Sequence, residues 1–99
     1  MNSLEILDLL GHKAVDRVTK FKGTIASICF DLYGCVQAAL TPEVNDKGEE
    51  NHSKFFDISR LDVDRTSDRV MYPPETYFNG LASAIDRGPA ERPTNAKNL

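Results

Sequence analysis

At 99 residues, with 40% hydrophobic and 27% charged content, the chain is sized for a single soluble domain with a modest core. Its net charge of -3 works against general binding to phosphate backbones. No run approaches the ~18 consecutive apolar residues of a membrane span.

The charge is unevenly placed. Between positions 11 and 23, Lys13, Arg17, Lys20 and Lys22 face only Asp16. Between 43 and 68, eight acids face four bases. The first residues, M-N-S-L-E-I-L-D-L-L, carry acids and no basic stretch, so they do not read as a signal peptide. A cytoplasmic location is expected, and with it two free thiols, Cys29 and Cys35, buried or half-buried in the core.

Residues 3–10 suit a short helix, with Ser3 as its cap and Gly11 at the left-handed position that ends it. A strand is the rival reading, because so few residues do not settle the period. Residues 12–19 read as a strand running into a turn at 20–23. Residues 24–30, T-I-A-S-I-C-F, are rich in β-branched and aromatic side chains and form the clearest strand. Asp31-Leu32-Tyr33-Gly34 reads as a turn, with Asp opening it and Gly taking the left-handed position. Residues 35–41 alternate as a half-buried strand, which Pro42 ends. Residues 45–53 contain no apolar side chain and suit a solvated hairpin loop. Strands follow at 53–58 and 61–63, and Met71 and Tyr72 are expected to fold back on the core. Residues 75–87 place Tyr77 or Phe78, Leu81, Ala82 and Ile85 at helical spacing.

The expected fold is all-β: a small barrel of about five strands with helix at its two ends. Residues 1–11 form an N-terminal segment, 12–72 the barrel core, 73–87 an amphipathic helix and 88–99 a disordered tail.

Four stretches carry a resemblance: V-D-R-V-T-K-F-K-G-T-I (15–25), D-L-Y-G-C (31–35), L-T-P-E (40–43) and F-D-I-S-R-L-D-V (56–63). Together they resemble a family of small uncharacterised proteins of bacteriophages, prophages and other mobile elements. That family's pattern is D-x-V-T-G-F-x-G, a T-G-C turn, a proline before an acidic-glycine loop, and F-D-x-x-R-L. The chain departs from it at Lys20, where Gly is usual, and at Tyr33, where Thr is common. The resemblance covers about half the chain. It implies a barrel similar to Src-homology-3-like domains, a phage setting and no particular reaction.

No catalytic motif is visible: there is no phosphate-binding glycine loop, no G-x-S-x-G and no H-E-x-x-H. His12 and His52 read as surface residues. Glu49, Glu50, His52 and Asp57 match no metal-ligand spacing. Asp57 and Arg60 suit a turn-closing pair, and Tyr33 an exposed turn tip. The candidate partner contacts are therefore Asp31, Tyr33, Asp57 and Arg60, and the candidate basic patch is Lys13, Arg17, Lys20 and Lys22. No catalytic residue, metal or cofactor is expected.

The expected function is a non-enzymatic protein-interaction module, homodimeric, in the host cytoplasm or the virion. Its partner would be a virion component or a host or defence factor. The alternatives are a nucleic-acid accessory protein using the basic patch, and a small-molecule binder at an oligomer interface.

Overall fold

The computed structural model describes residues 1–44 and 52–79. Five strands make one antiparallel sheet: β1 (Lys13–Asp16), β2 (Lys22–Phe30), β3 (Val36–Thr41), β4 (Lys54–Asp57) and β5 (Leu61–Asp64). Their order is β4-β3-β2-β1-β5. The first four strands follow one another as a meander. A 3-10 turn, Ile58–Arg60, then carries the chain back so that β5 pairs with β1.

A short helix, α1 (Ser3–Leu7), precedes the sheet. Its cap is Asn2, not Ser3. The Asn2 side chain accepts from the Glu5 amide at 2.8 Å, and Glu5 accepts from the Asn2 amide at 2.8 Å. This reciprocal pair satisfies two amides that a helix start leaves open. Gly11 does adopt a left-handed φ of 90°.

β2 organises the core. Its first residues pair with β1 and its remainder with β3, and between Ile25 and Ser27 the register slips at a bulge. The extra residue, Ala26, resets the phase of the strand. Ile25 and Ile28 both turn to the core although they lie three apart. Strict alternation from Ile25 would send Cys29 inward. The bulge sends it outward, opposite Gln37. Both cysteines are free, as expected, but exposed rather than buried.

The core is Leu9, Ala14, Ile25, Ala38, Leu40, Phe56 and Leu61, with Phe21, Ile28 and Val63 packed against it. Leu9, Ile25 and Leu40 are fully buried. Each such side chain contributes up to about 1.5–3 kcal/mol. Phe30 continues the inward phase of β2 beyond the end of this cluster and stays 46% exposed, not buried as its apolar context suggests.

Three further expectations need correction. The first turn lies at 17–20, not 20–23, because Lys22 and Gly23 already pair with β1. His12 is buried, not at the surface. Its Nε2 accepts from Arg69 Nε at 3.0 Å, so Nδ1 carries the hydrogen that points to the Asp64 carbonyl at 3.3 Å. Met71 and Tyr72 keep their side chains exposed, although the Met71 backbone lies against Gly11.

Residues 76–79 form a helical turn. The remainder of the expected helix, the tail and most of the 45–53 loop lie outside the described residues. Among the described residues, no helix is long and apolar enough to cross a membrane.

Candidate functional site

Two of the resembling motifs meet at Asp16. This residue sits on the inward face of β1 and is fully buried. Buried carboxylates persist only when paired and hydrogen-bonded, and Asp16 is both. Arg60 reaches it from the 3-10 turn in a two-pronged contact, Nε to Oδ1 at 2.8 Å and Nη2 to Oδ2 at 2.7 Å. Thr19 donates to Oδ2 from its amide at 2.8 Å and its hydroxyl at 2.6 Å. The Arg60 hydrogen bonds hold the Asp16 carboxyl well below the usual carboxylate range, against the opposing effect of burial. In return the carboxylate raises the Arg60 guanidinium.

The backbone closes around the same point. Asp16 N donates to the Phe21 carbonyl, Lys20 N to the Asp16 carbonyl, and Arg17 N to the Arg60 carbonyl, at 2.8–2.9 Å. The Arg60 guanidinium lies 5.3 Å from the centre of the Phe56 ring. Asp16, Thr19, Phe56 and Arg60 thus form one tie between the β1–β2 turn and the 3-10 turn. Fully buried and accepting four hydrogen bonds, this carboxylate acts as a structural tie.

Arg60 therefore does not close a pair with Asp57. Asp57 does accept within a tight turn, from the Ser59 amide at 3.0 Å and hydroxyl at 2.7 Å. Those bonds, the amide first, lower its carboxyl.

The β2–β3 turn gathers a second set. Asp31 Oδ1 accepts from the amides of Tyr33 at 2.9 Å and Cys35 at 2.8 Å, and Asp31 N donates to the Cys35 carbonyl at 3.1 Å. Gly34 takes the left-handed position with φ of 93°. The carboxylate thereby fixes the loop while Leu32 and Tyr33 stand outward, 88% and 86% exposed. The Asp31 charge pushes the Cys35 thiol above its usual range, with burial and the more distant Asp57 charge adding to it. A thiol held protonated is a poor nucleophile. Asp31, Tyr33 and Asp57 thus share one end of the β2–β3–β4 region, while Arg60 belongs to the Asp16 tie.

The basic residues do not form an isolated cationic surface. Lys13 reaches Glu43 at 3.9 Å, and Arg17 Nε donates to Asp62 at 2.8 Å. Lys13 and Lys22 share a shallow groove with Glu43, Asp62 and Asp64. Lys20 holds a left-handed φ of 67° at the turn, the conformation glycine adopts most readily. Among the described residues, no three His, Cys, Asp or Glu side chains gather as a metal site.

Asp16 and Thr19 were not among the residues that sequence reasoning singled out. Their three-residue spacing is the available signal, since an Asp commonly accepts from residues two or three positions on. Comparison with protein-family models, curated proteins and solved structures returns no match.

Proposed function

We propose that the chain is a non-enzymatic protein-interaction module, a small Src-homology-3-like barrel that presents its β2–β3 turn to a protein partner. The observation that carries this reading is the pinned turn, in which two large apolar side chains, Leu32 and Tyr33, stand exposed on a loop held by Asp31, beside the half-exposed Phe30 at the end of β2. A fixed loop loses less entropy on binding than a mobile one. Exposed apolar groups grouped in this way mark contact surfaces, and tyrosine is enriched at binding hot spots.

The meander closed by a 3-10 turn before β5 supports the barrel assignment. The resembling motifs support a bacteriophage or mobile-element setting, with a virion component or a host or defence factor as partner, in the host cytoplasm or the virion. Among the described residues the β4 and β5 edges offer unpaired backbone through which a homodimer would form. The pairing of Lys13 and Arg17 with acids counts against the nucleic-acid reading, because cations already neutralised displace fewer counterions from a phosphate backbone.

The test compares the wild-type chain with the Leu32→Ser/Tyr33→Ser double variant as bait in lysate from phage-infected cells. A protein held by the first and lost by the second is the expected result, with melting temperatures within about 4 °C of each other. Equal capture by both baits would remove the turn from the interface. Sub-micromolar DNA or RNA binding in an anisotropy titration at ~150 mM salt would favour the nucleic-acid alternative.

A further inference from the structure

Among the described residues, two polar side chains are buried, Asp16 and His12. Asp16 is held as an anion by Arg60. His12 is held neutral, and the cause is again an arginine. A guanidinium has N–H donors and no acceptor, and it keeps its charge. Arg69 Nε donates to His12 Nε2 at 3.0 Å, a bond that exists only while Nε2 carries no proton. The other ring nitrogen, Nδ1, faces the Asp64 carbonyl at 3.3 Å.

Histidine is the side chain whose charge ordinarily changes between about pH 5 and 8. A proton added at Nε2 turns the acceptor into a donor and opposes two cations across that bond. The Arg69 side chain is only 12% exposed, so water screens this repulsion poorly. The neighbouring charges do not relieve it. The Asp8 carboxylate already accepts from Arg69 Nη2 at 2.7 Å. The Asp64 carboxylate is engaged by Thr66 and Ser67, and its carbonyl alone meets His12. Lys13, next along β1, adds a further positive charge and reaches Glu43. From β2, the Ile25 amide meets the His12 carbonyl and brings no charge. Arg65 and Asp68 are exposed.

Arg69 belongs to a strap. Residues 65–74 form no helix or strand, and none of the core side chains comes from them. Apart from the bonds of Thr66 and Ser67 to Asp64, the ties of this strap among the described residues fall on residues 8–12. Arg69 donates to the Asp8 carbonyl and carboxylate and to His12, and Val70 N donates to the Gly11 carbonyl at 2.9 Å.

We infer that His12 is a proton-operated latch: its protonation drives Arg69 off Nε2 and lets the strap lift from residues 8–12. Because the strap supplies no core residue, this is a local opening that leaves the sheet folded. Met71 and Tyr72 of the strap line an open apolar groove of about 460 Å³ together with Leu10 and Ala26. Mild acid therefore removes one wall of that groove, and return to neutral pH rebuilds it.

The test is nuclear magnetic resonance of the full chain, titrated from about pH 8 to 5, where carboxylates ordinarily keep their charge. Long-range nitrogen–proton spectra read each imidazole, and the exposed His52 is the internal control. At the alkaline end the His12 ring should carry its hydrogen on Nδ1. As the ring gains its second proton, protection of the Val70 amide from solvent exchange should fall about tenfold or more, the loss expected of one charged hydrogen bond. The Met71 methyl resonance should move with the same midpoint while that of Met1 stays, and far-ultraviolet circular dichroism should hold. In His12→Gln, whose side-chain oxygen accepts from Arg69 but does not titrate, both strap signals should stay level. Should that variant not fold, the wild-type midpoints decide alone, because the strap must follow His12 and not His52. A hydrogen on Nε2 at the alkaline end, a strap unmoved while His12 protonates, a His12 that stays neutral to the acid end, or an unchanged response in His12→Gln would each overturn the proposal.

Discussion

Two turns of this molecule begin with the same device and put it to opposite uses. At the β1–β2 turn, Asp16 accepts from Thr19 three residues on. At the β2–β3 turn, Asp31 accepts from Tyr33 and Cys35. Asp16 is also gripped by Arg60 from 44 positions away, and its turn is drawn into the core. Among the described residues Asp31 makes only local bonds, and its turn projects Leu32 and Tyr33 into solvent. The local motif shapes a loop in both cases, and the long-range partner decides whether that loop holds the fold together or displays side chains.

The sharpest way to break this contrast is Asp16→Ala. It leaves the Arg60 guanidinium without its partner and removes four hydrogen bonds from one site. The melting temperature should fall by more than about 15 °C, or the chain should not fold. A loss of under about 5 °C, read by thermal circular dichroism, would mean that the two turns are energetically alike.

Acid should weaken the same tie without a mutation. The folded-state value of Asp16 lies below that of the unfolded chain, so its stabilisation is complete above the unfolded value near about 3.9. It is lost as pH falls from there toward the folded value. Asp64, lowered mainly by hydroxyl bonds from Thr66 and Ser67, adds in the same direction. The urea midpoint should hold level between about pH 7 and 5 and drop below about pH 4. A midpoint unchanged at pH 3 would contradict the pairing.

Asp31→Ala removes a purely local hold. Its expected effect is a decrease of about 5 °C, roughly a third of the Asp16→Ala loss. An equal loss in both variants would erase the distinction between tie and display.

The smallest expected effect is a gain. Lys20 occupies a left-handed conformation that costs a side-chain-bearing residue about 1–2 kcal/mol. Lys20→Gly relieves that strain but adds freedom to the unfolded chain. A net rise of about 3–5 °C is expected, and a fall would show that the lysine side chain has a compensating contact.

The sequence read well where the physics is local. The β-branched run at 24–30, the Asp–Gly turn at 31–34, the proline after β3 and the glycine at position 11 each correspond to a feature of the fold. It read poorly where a distant residue or a single irregularity decides. The bulge at Ala26 changes which side of β2 faces inward, so the exposure of Cys29 could not follow from alternation. The burial of His12 depends on Arg69, 57 residues on. The Asp16–Arg60 pairing joins two motifs that carry no mark of one another. Asp57, the nearer acid, was the natural partner to expect for Arg60, yet it is engaged by Ser59.

The return of β5 to β1 also sets an order of assembly. The pairing of Asp16 with Leu61 spans 45 residues of chain, whereas β1–β2, β2–β3 and β3–β4 join neighbours in sequence. Loop closure of that length must precede its reward, so the hairpins can form early while β5 arrives late. During synthesis from the N-terminus, Asp16 leaves the ribosome long before Arg60 exists to meet it. Until then its carboxylate stays hydrated and the β1–β2 turn lacks the cation that draws it inward. The core is completed only when the last strand is made, and completion of the five-stranded sheet coincides with emergence of the segment that locks it.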